Sequence, residues 1–173
     1  TAGDQRLQIG TKVVTMVSSR EETIISTDEA IYGMTFVGPP FIFSFRLLAT
    51  NSGAAGINTM INIDGNVFWM GRTNFFTYDG VVKEIPCSVQ YFVFDRLQRD
   101  FIDKTIVAHN KKFKEVTWFY VSNDNSAGTL NPEPDSYVTF NYLENAWSIG
   151  TMDRTTWLDS FGFRKVPFAF DSD

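Results

Sequence analysis

Thr59-Met60-Ile61-Asn62-Ile63-Asp64-Gly65-Asn66-Val67-Phe68-Trp69-Met70-Gly71-Arg72-Thr73-Asn74-Phe75-Phe76-Thr77-Tyr78-Asp79-Gly80-Val81-Val82-Lys83-Glu84-Ile85 decides the fold class. Four runs rich in β-branched and aromatic residues, Thr59 to Ile63, Val67 to Met70, Phe75 to Tyr78 and Val81 to Ile85, are separated by Asp64-Gly65, by Gly71 to Asn74 and by Asp79-Gly80. An Asp-Gly pair between apolar runs marks a tight hairpin, because the turn that matches strand twist requires positive φ, which Gly and Asp tolerate. The stretch therefore reads as four short antiparallel strands in series.

Similar sets flank it. Upstream are Val13 to Ser18, Glu22 to Ser26, Ala30 to Val37 and Phe41 to Leu48; downstream are Thr105 to His109, Glu115 to Val121, Tyr137 to Tyr142 and Ala146 to Gly150. The first strands of the three sets begin at Val13, Thr59 and Thr105, a spacing of 46 residues in each case. Four strands repeated in the mid-forties is the spacing of a β-propeller blade. The expected fold is all-β, with consecutive four-stranded antiparallel blades at about 13–48, 59–85 and 105–150. A further blade is expected to begin at about 157–170, where Phe161-x-Phe163 and Phe168-x-Phe170 alternate. An irregular sandwich with evenly spaced meanders is the competing architecture.

Two segments break the pattern. Val89 to Phe101 lacks alternation and places Val89, Phe92, Val93 and Leu97 at helix-compatible spacing, so one short helix is expected there. Ser122 to Ser136 is rich in Asn, Asp, Gly and Pro and reads as a long loop, the best candidate for an exposed contact surface through Asn123, Asp124, Asn125, Glu133 and Asp135.

Composition narrows the function. Hydrophobic residues make up 43% and aromatics 16% of the 173 residues, with 17 Phe, 6 Tyr and 4 Trp, so the chain is built to bury rings. The net charge of −5, and one short basic cluster at Lys111-Lys112-Phe113-Lys114, argue against tight nucleic-acid binding. No apolar run approaches the roughly 20 residues of a membrane-spanning helix. Cys87 is the single cysteine, which excludes an intrachain disulfide and a multi-cysteine zinc site.

Candidate chemistry is sparse. His109 is the only histidine, so a Ser-His-Asp relay must use it or not exist, and His-rich metal sites are impossible; a satisfied or solvated turn residue is the plainer reading. No Gly-x-Ser-x-Gly elbow or phosphate-binding Gly loop occurs. Asn123-Asp124-Asn125-Ser126 with Glu133 and Asp135 offers oxygen ligands for calcium but lacks the spacing of a calcium hand, and its residues equally form turns. Trp69, Trp118, Tyr120 and Trp147 fall in strands among other aromatics and are expected to be core residues rather than a sugar-stacking platform. No catalytic residue, metal or cofactor is expected.

Several motifs, in order, resemble those of the packaged-DNA stabilisation, or tail nozzle and hub, proteins of short-tailed bacteriophages. They are Ala2-Gly3, Gly38-Pro39-Pro40-Phe41, Phe68-Trp69-Met70-Gly71, Phe75-Phe76-x-Tyr78-Asp79-Gly80 with Ile85-Pro86-Cys87, Glu115-x-x-Trp118-Phe119-Tyr120, Tyr137 through Asn141-Tyr142 to Trp147, and Arg154-Thr155. The resemblance implies a propeller within a longer chain and a homo-oligomeric ring in the virion, expected to be a hexamer. Its neighbours would be portal or adaptor proteins and tail-fibre or needle proteins. The ring would close the DNA channel, retain packaged DNA and pass it at ejection; no catalytic residues are implied. Rival readings are a glycan-recognising propeller or tail-fibre module, and a propeller glycosidase with two acids facing one pocket. Three sets are too few to close a propeller, so the remaining blades are expected in chain outside this segment, or the three-set reading is wrong; the start at Thr1-Ala2-Gly3 and the end just after a strand-like run read as cut from a longer chain. The isolated segment is expected to aggregate because two apolar blade faces would be wet.

Overall fold

The computed structural model describes residues 6–126, 132–160 and 166–170. The chain divides into two compact units, Thr1–Ile85 and Pro86–Asp173. Ala2-Gly3 and Phe161-x-Phe163 lie outside the described residues.

The first unit contains two four-stranded antiparallel meanders. One is built from β1 (Val13–Ser18), β2 (Thr23–Thr27), β3 (Ala30–Phe36) and β4 (Phe43–Thr50), the other from β5 (Met60–Ile63), β6 (Asn66–Met70), β7 (Phe75–Tyr78) and β8 (Val82–Ile85). In both, sequence neighbours are sheet neighbours. Asp64 (φ 51°) and Gly65 (φ 94°) both occupy the left-handed region, as the β5–β6 hairpin requires. The inner strands are apolar on both faces and disappear from solvent: β6 and β7 bury Val67, Trp69, Met70 and Phe75 completely. Ile24 and Ile31 of the first sheet and Met60, Val67, Trp69, Phe76 and Tyr78 of the second form one core. Trp69 stacks on Phe76 with centroids 5.5 Å apart, and its indole N–H donates to the Ser52 carbonyl at 2.7 Å. A ring this large enters a core at low cost only when its N–H finds a partner.

The second unit starts with helix α1 (Gln90–Arg96) and a 3-10 turn (Arg99–Lys104), placing helical structure where alternation fails. The third meander follows: β9 (Ile106–Asn110), β10 (Glu115–Tyr120), β11 (Ser136–Asn141) and β12 (Ala146–Thr151). Between β10 and β11 lies a one-turn helix, α2 (Asn123–Ser126). β13 (Thr156–Leu158) and β14 (Phe168–Phe170) pair as a separate two-stranded sheet.

The architecture is thus all-β, consecutive four-stranded antiparallel sheets of propeller-blade type. From β1 at Val13 to β5 at Met60 is 47 residues, and from β5 to β9 at Ile106 is 46. β4 starts two residues later than the sequence suggests, at Phe43, because Gly38-Pro39-Pro40 forms the turn and leaves Phe41 and Ile42 in its descending arm.

Candidate functional site

Two polar clusters join segments distant in sequence. In the first unit, Glu22 enters β2 with only 5% of its side chain exposed. Its Oε1 accepts from Arg46 Nη2 at 2.7 Å and from the Tyr78 hydroxyl, bringing β4 of the first sheet and β7 of the second to one carboxylate. Its Oε2 is buried without a hydrogen-bond partner and lies over Gly33, where a Cβ would sit 1.8 Å away. Burial, then the hydrogen bond to Glu22, raises the Tyr78 phenol to about 12.

In the second unit, His109 Nδ1 lies 3.0 Å from Asp159 Oδ2, and its Nε2 lies 3.1 Å from the Tyr142 hydroxyl. Asp159 also accepts from the backbone N–H groups of Ser160 at 2.6 Å and Lys111 at 3.3 Å. The Trp157 indole N–H donates to the His109 carbonyl at 2.9 Å, so β13 lies on β9 by ring and backbone together. Asp159, His109 and Tyr142 thus lie in series, with a tyrosine hydroxyl rather than the serine of a Ser-His-Asp relay at the far end. Sequence alone could not reveal this arrangement, because its members are separated by 33 and 50 residues.

The anticipated core aromatics divide. Trp69 and Trp118 are fully buried and Tyr120 is 1% exposed, with its phenol raised to about 12, first by burial. Trp147, on the edge strand β12, is less completely buried than Trp118. It still packs on Phe140 at 4.6 Å and stacks on Trp118 at 6.4 Å, and its N–H donates to the Pro86 carbonyl at 2.9 Å.

The expected contact loop is more internally tied than its composition implies. Asn123 and Asp124 are exposed, but the Asn123 amide donates to the Asp95 carbonyl and Asp124 pairs with Arg96. Glu133 pairs with Lys104 at 2.7 Å, while Asp135 accepts from the Ser122 backbone N–H at 2.7 Å and hydroxyl at 2.6 Å. These acids hold the loop ends to α1, the 3-10 turn and β10 rather than converging on one point. The Asn125 side chain and residues 127–131 lie outside the described residues. Among the described residues no group of three His, Cys, Asp or Glu is placed to hold a metal.

A concavity between the β1–β2 and β7–β8 turns carries two acids, Glu21 and Asp79, but Lys83 at 2.7 Å holds Asp79 below the usual carboxylate range. Such a group is a poor proton donor to a glycosidic oxygen. Glu115 is shifted upward, first by burial and then by Glu144, at the strand end next to the β9–β10 turn. Burial pushes the Cys87 thiol to about 11, leaving it protonated at neutral pH. No protein-family model and no curated protein sequence matches the chain significantly.

Proposed function

We propose that the chain is a structural, blade-forming segment of a short-tailed bacteriophage tail nozzle or hub, located in the virion. Its work there would be to help close the DNA channel, retain packaged DNA and let it pass at ejection. The observation that carries this reading is the succession of four-stranded meanders beginning 47 and 46 residues apart, the second and third with fully buried inner-strand tryptophans, Trp69 and Trp118. Repeated sheets of this kind stack face to face into rigid ring-shaped assemblies. The ordered motifs from Gly38-Pro39-Pro40-Phe41 to Arg154-Thr155 supply the specific resemblance.

In this reading copies of the parent chain form a ring, taken as a hexamer, that meets portal or adaptor proteins on one side and fibre or needle proteins on the other. Net charge of −5 suits a conduit wall, since acidic surfaces repel phosphates and let DNA slide. A glycan-recognising module is the weaker alternative: sugar stacking needs open aromatic faces, and Trp69 and Trp118 have none. Cryo-electron microscopy of the parent particle tests the proposal. Density for these meanders in a ring around the tail channel supports it; their location on a peripheral fibre would overturn it.

A further inference from the structure

The ribbon of β13 and β14 lies against β9 with little apolar burial of its own. Thr156, Leu158, Phe168 and Phe170 are exposed, and of its strand residues Trp157 and Ala169 alone are partly covered. Among the described residues its attachment to the third sheet is concentrated around His109. The Trp157 ring meets Phe119 at 6.0 Å and its N–H donates to the His109 carbonyl at 2.9 Å; just past the strand, Asp159 accepts from the Lys111 backbone N–H and faces His109 Nδ1 at 3.0 Å. Where so few contacts hold an element, each is a large share of what keeps it closed.

Of these contacts, the one through the His109 ring changes with pH near neutrality. A neutral imidazole donates from Nδ1 to Asp159 and accepts at Nε2 from the Tyr142 hydroxyl, 3.1 Å away; an imidazolium donates from both nitrogens, and the same hydroxyl then accepts. Tyr142 therefore keeps its bond in either state. What changes is charge, because only the imidazolium makes the contact with Asp159 an ion pair. The two side chains are 14% and 23% exposed, so water screens the pair less than it would on an open surface. The other charged groups of the described residues at this end of the sheet are Lys111, Lys112 and Lys114 of the β9–β10 turn, Glu115 of β10 and Glu144 of the β11–β12 turn, while β13 and β14 carry none. Glu115, raised by burial and then by Glu144, is the group whose titration must be told apart from that of His109.

We propose that His109 and Asp159 form a pH-sensitive latch, which holds the β13–β14 ribbon closed on the third sheet when the imidazole is protonated and slackens when it is neutral. Trp157 keeps the ribbon seated in both states; the latch sets how often it opens. At about pH 5.5 an ordinary histidine is protonated and an ordinary aspartate ionised, so the ion pair is made, and its contribution is lost as pH rises through the imidazole titration. The response is graded, because a partly exposed pair shifts a local opening equilibrium by about fivefold rather than by orders of magnitude. This device does not rest on the ring reading.

The test is hydrogen exchange of the full-length chain, followed by mass spectrometry at about pH 5.5 and about pH 8 and corrected for the intrinsic rate at each pH. Peptides spanning Thr156–Leu158 and Phe168–Phe170 should be about fivefold better protected at the lower pH, while those from β10 and β11 are equally protected at both. His109→Gln and Asp159→Asn should each hold the ribbon at the wild type's high-pH level throughout, and Glu115→Gln should keep the wild-type difference. Equal wild-type protection at the two pH values overturns the proposal, as does a difference that survives in His109→Gln or Asp159→Asn. Loss of the difference in Glu115→Gln overturns it by assigning the titration to that carboxylate. A ribbon unprotected at every pH in the His109 and Asp159 variants also overturns it, since the pair would then be a structural anchor rather than a titrating latch.

Discussion

Glu22 in the first unit and Asp159 in the second both tie together segments far apart in sequence, and both have a tyrosine hydroxyl at the far side of the junction, yet they are solvated differently. Glu22 contacts Tyr78 directly, is almost fully buried and leaves one oxygen without a donor. Asp159 reaches Tyr142 through His109, keeps part of its surface in water and is surrounded by backbone N–H groups. A buried carboxylate with an orphaned oxygen tolerates no change in its partners, whereas a partly hydrated one can exchange a lost partner for water. The first junction should therefore be brittle and the second forgiving.

The sharpest way to break the contrast is Gly33→Ala, which drives a methyl group into Glu22 Oε2. It should cost about 2–3 kcal/mol, by displacing the carboxylate from Tyr78 and from the largely solvated Arg46, and denaturant unfolding would measure it. Adding Glu22→Ala to Gly33→Ala should then cost much less than Glu22→Ala alone, a non-additivity that an unrelated strain at Gly33 would not produce.

Glu22→Gln keeps the shape but removes the charge. A loss of about 2 kcal/mol is expected, below the full value for a buried pair because Arg46 remains largely in water. His109→Gln, the counterpart in the second unit, should cost about 1 kcal/mol, since solvent can replace the lost bonds. Equal losses at the two sites would remove the distinction.

Alkaline titration sharpens it further. The Tyr78 and Tyr120 phenols are raised to about 12 in the folded protein, so each contributes stability that is complete below the ordinary tyrosine value of about 10 and is lost as pH rises through 12. Tyr78→Phe should flatten the decline between those values, measured by thermal unfolding at successive pH.

The meanders were legible because their information is local. Asp64-Gly65 and Asp79-Gly80 specify turns within two residues, and the runs around Trp69 and Trp118 announce strands buried on both faces. The polar junctions were not legible: Glu22 meets Tyr78 across 56 residues, and nothing in Arg20-Glu21-Glu22-Thr23 distinguishes the buried glutamate from its exposed neighbour. Trp147 and Trp118 have similar sequence neighbours, and only sheet order reveals that β12 is an edge strand. The acids of the 122–136 loop looked available for a ligand because Arg96 and Lys104, which engage two of them, lie in the helical segment upstream.

Hydrogen exchange followed by mass spectrometry tests the three-meander architecture most directly, because each sheet makes the same claim about its own strands. Amides of the inner strands β2, β3, β6, β7, β10 and β11 should exchange slowest, with β1, β12 and the β3–β4 tip fastest among the strands. Protection that is uniform along the chain, or strongest in β12 and the tip, would contradict the fold described here.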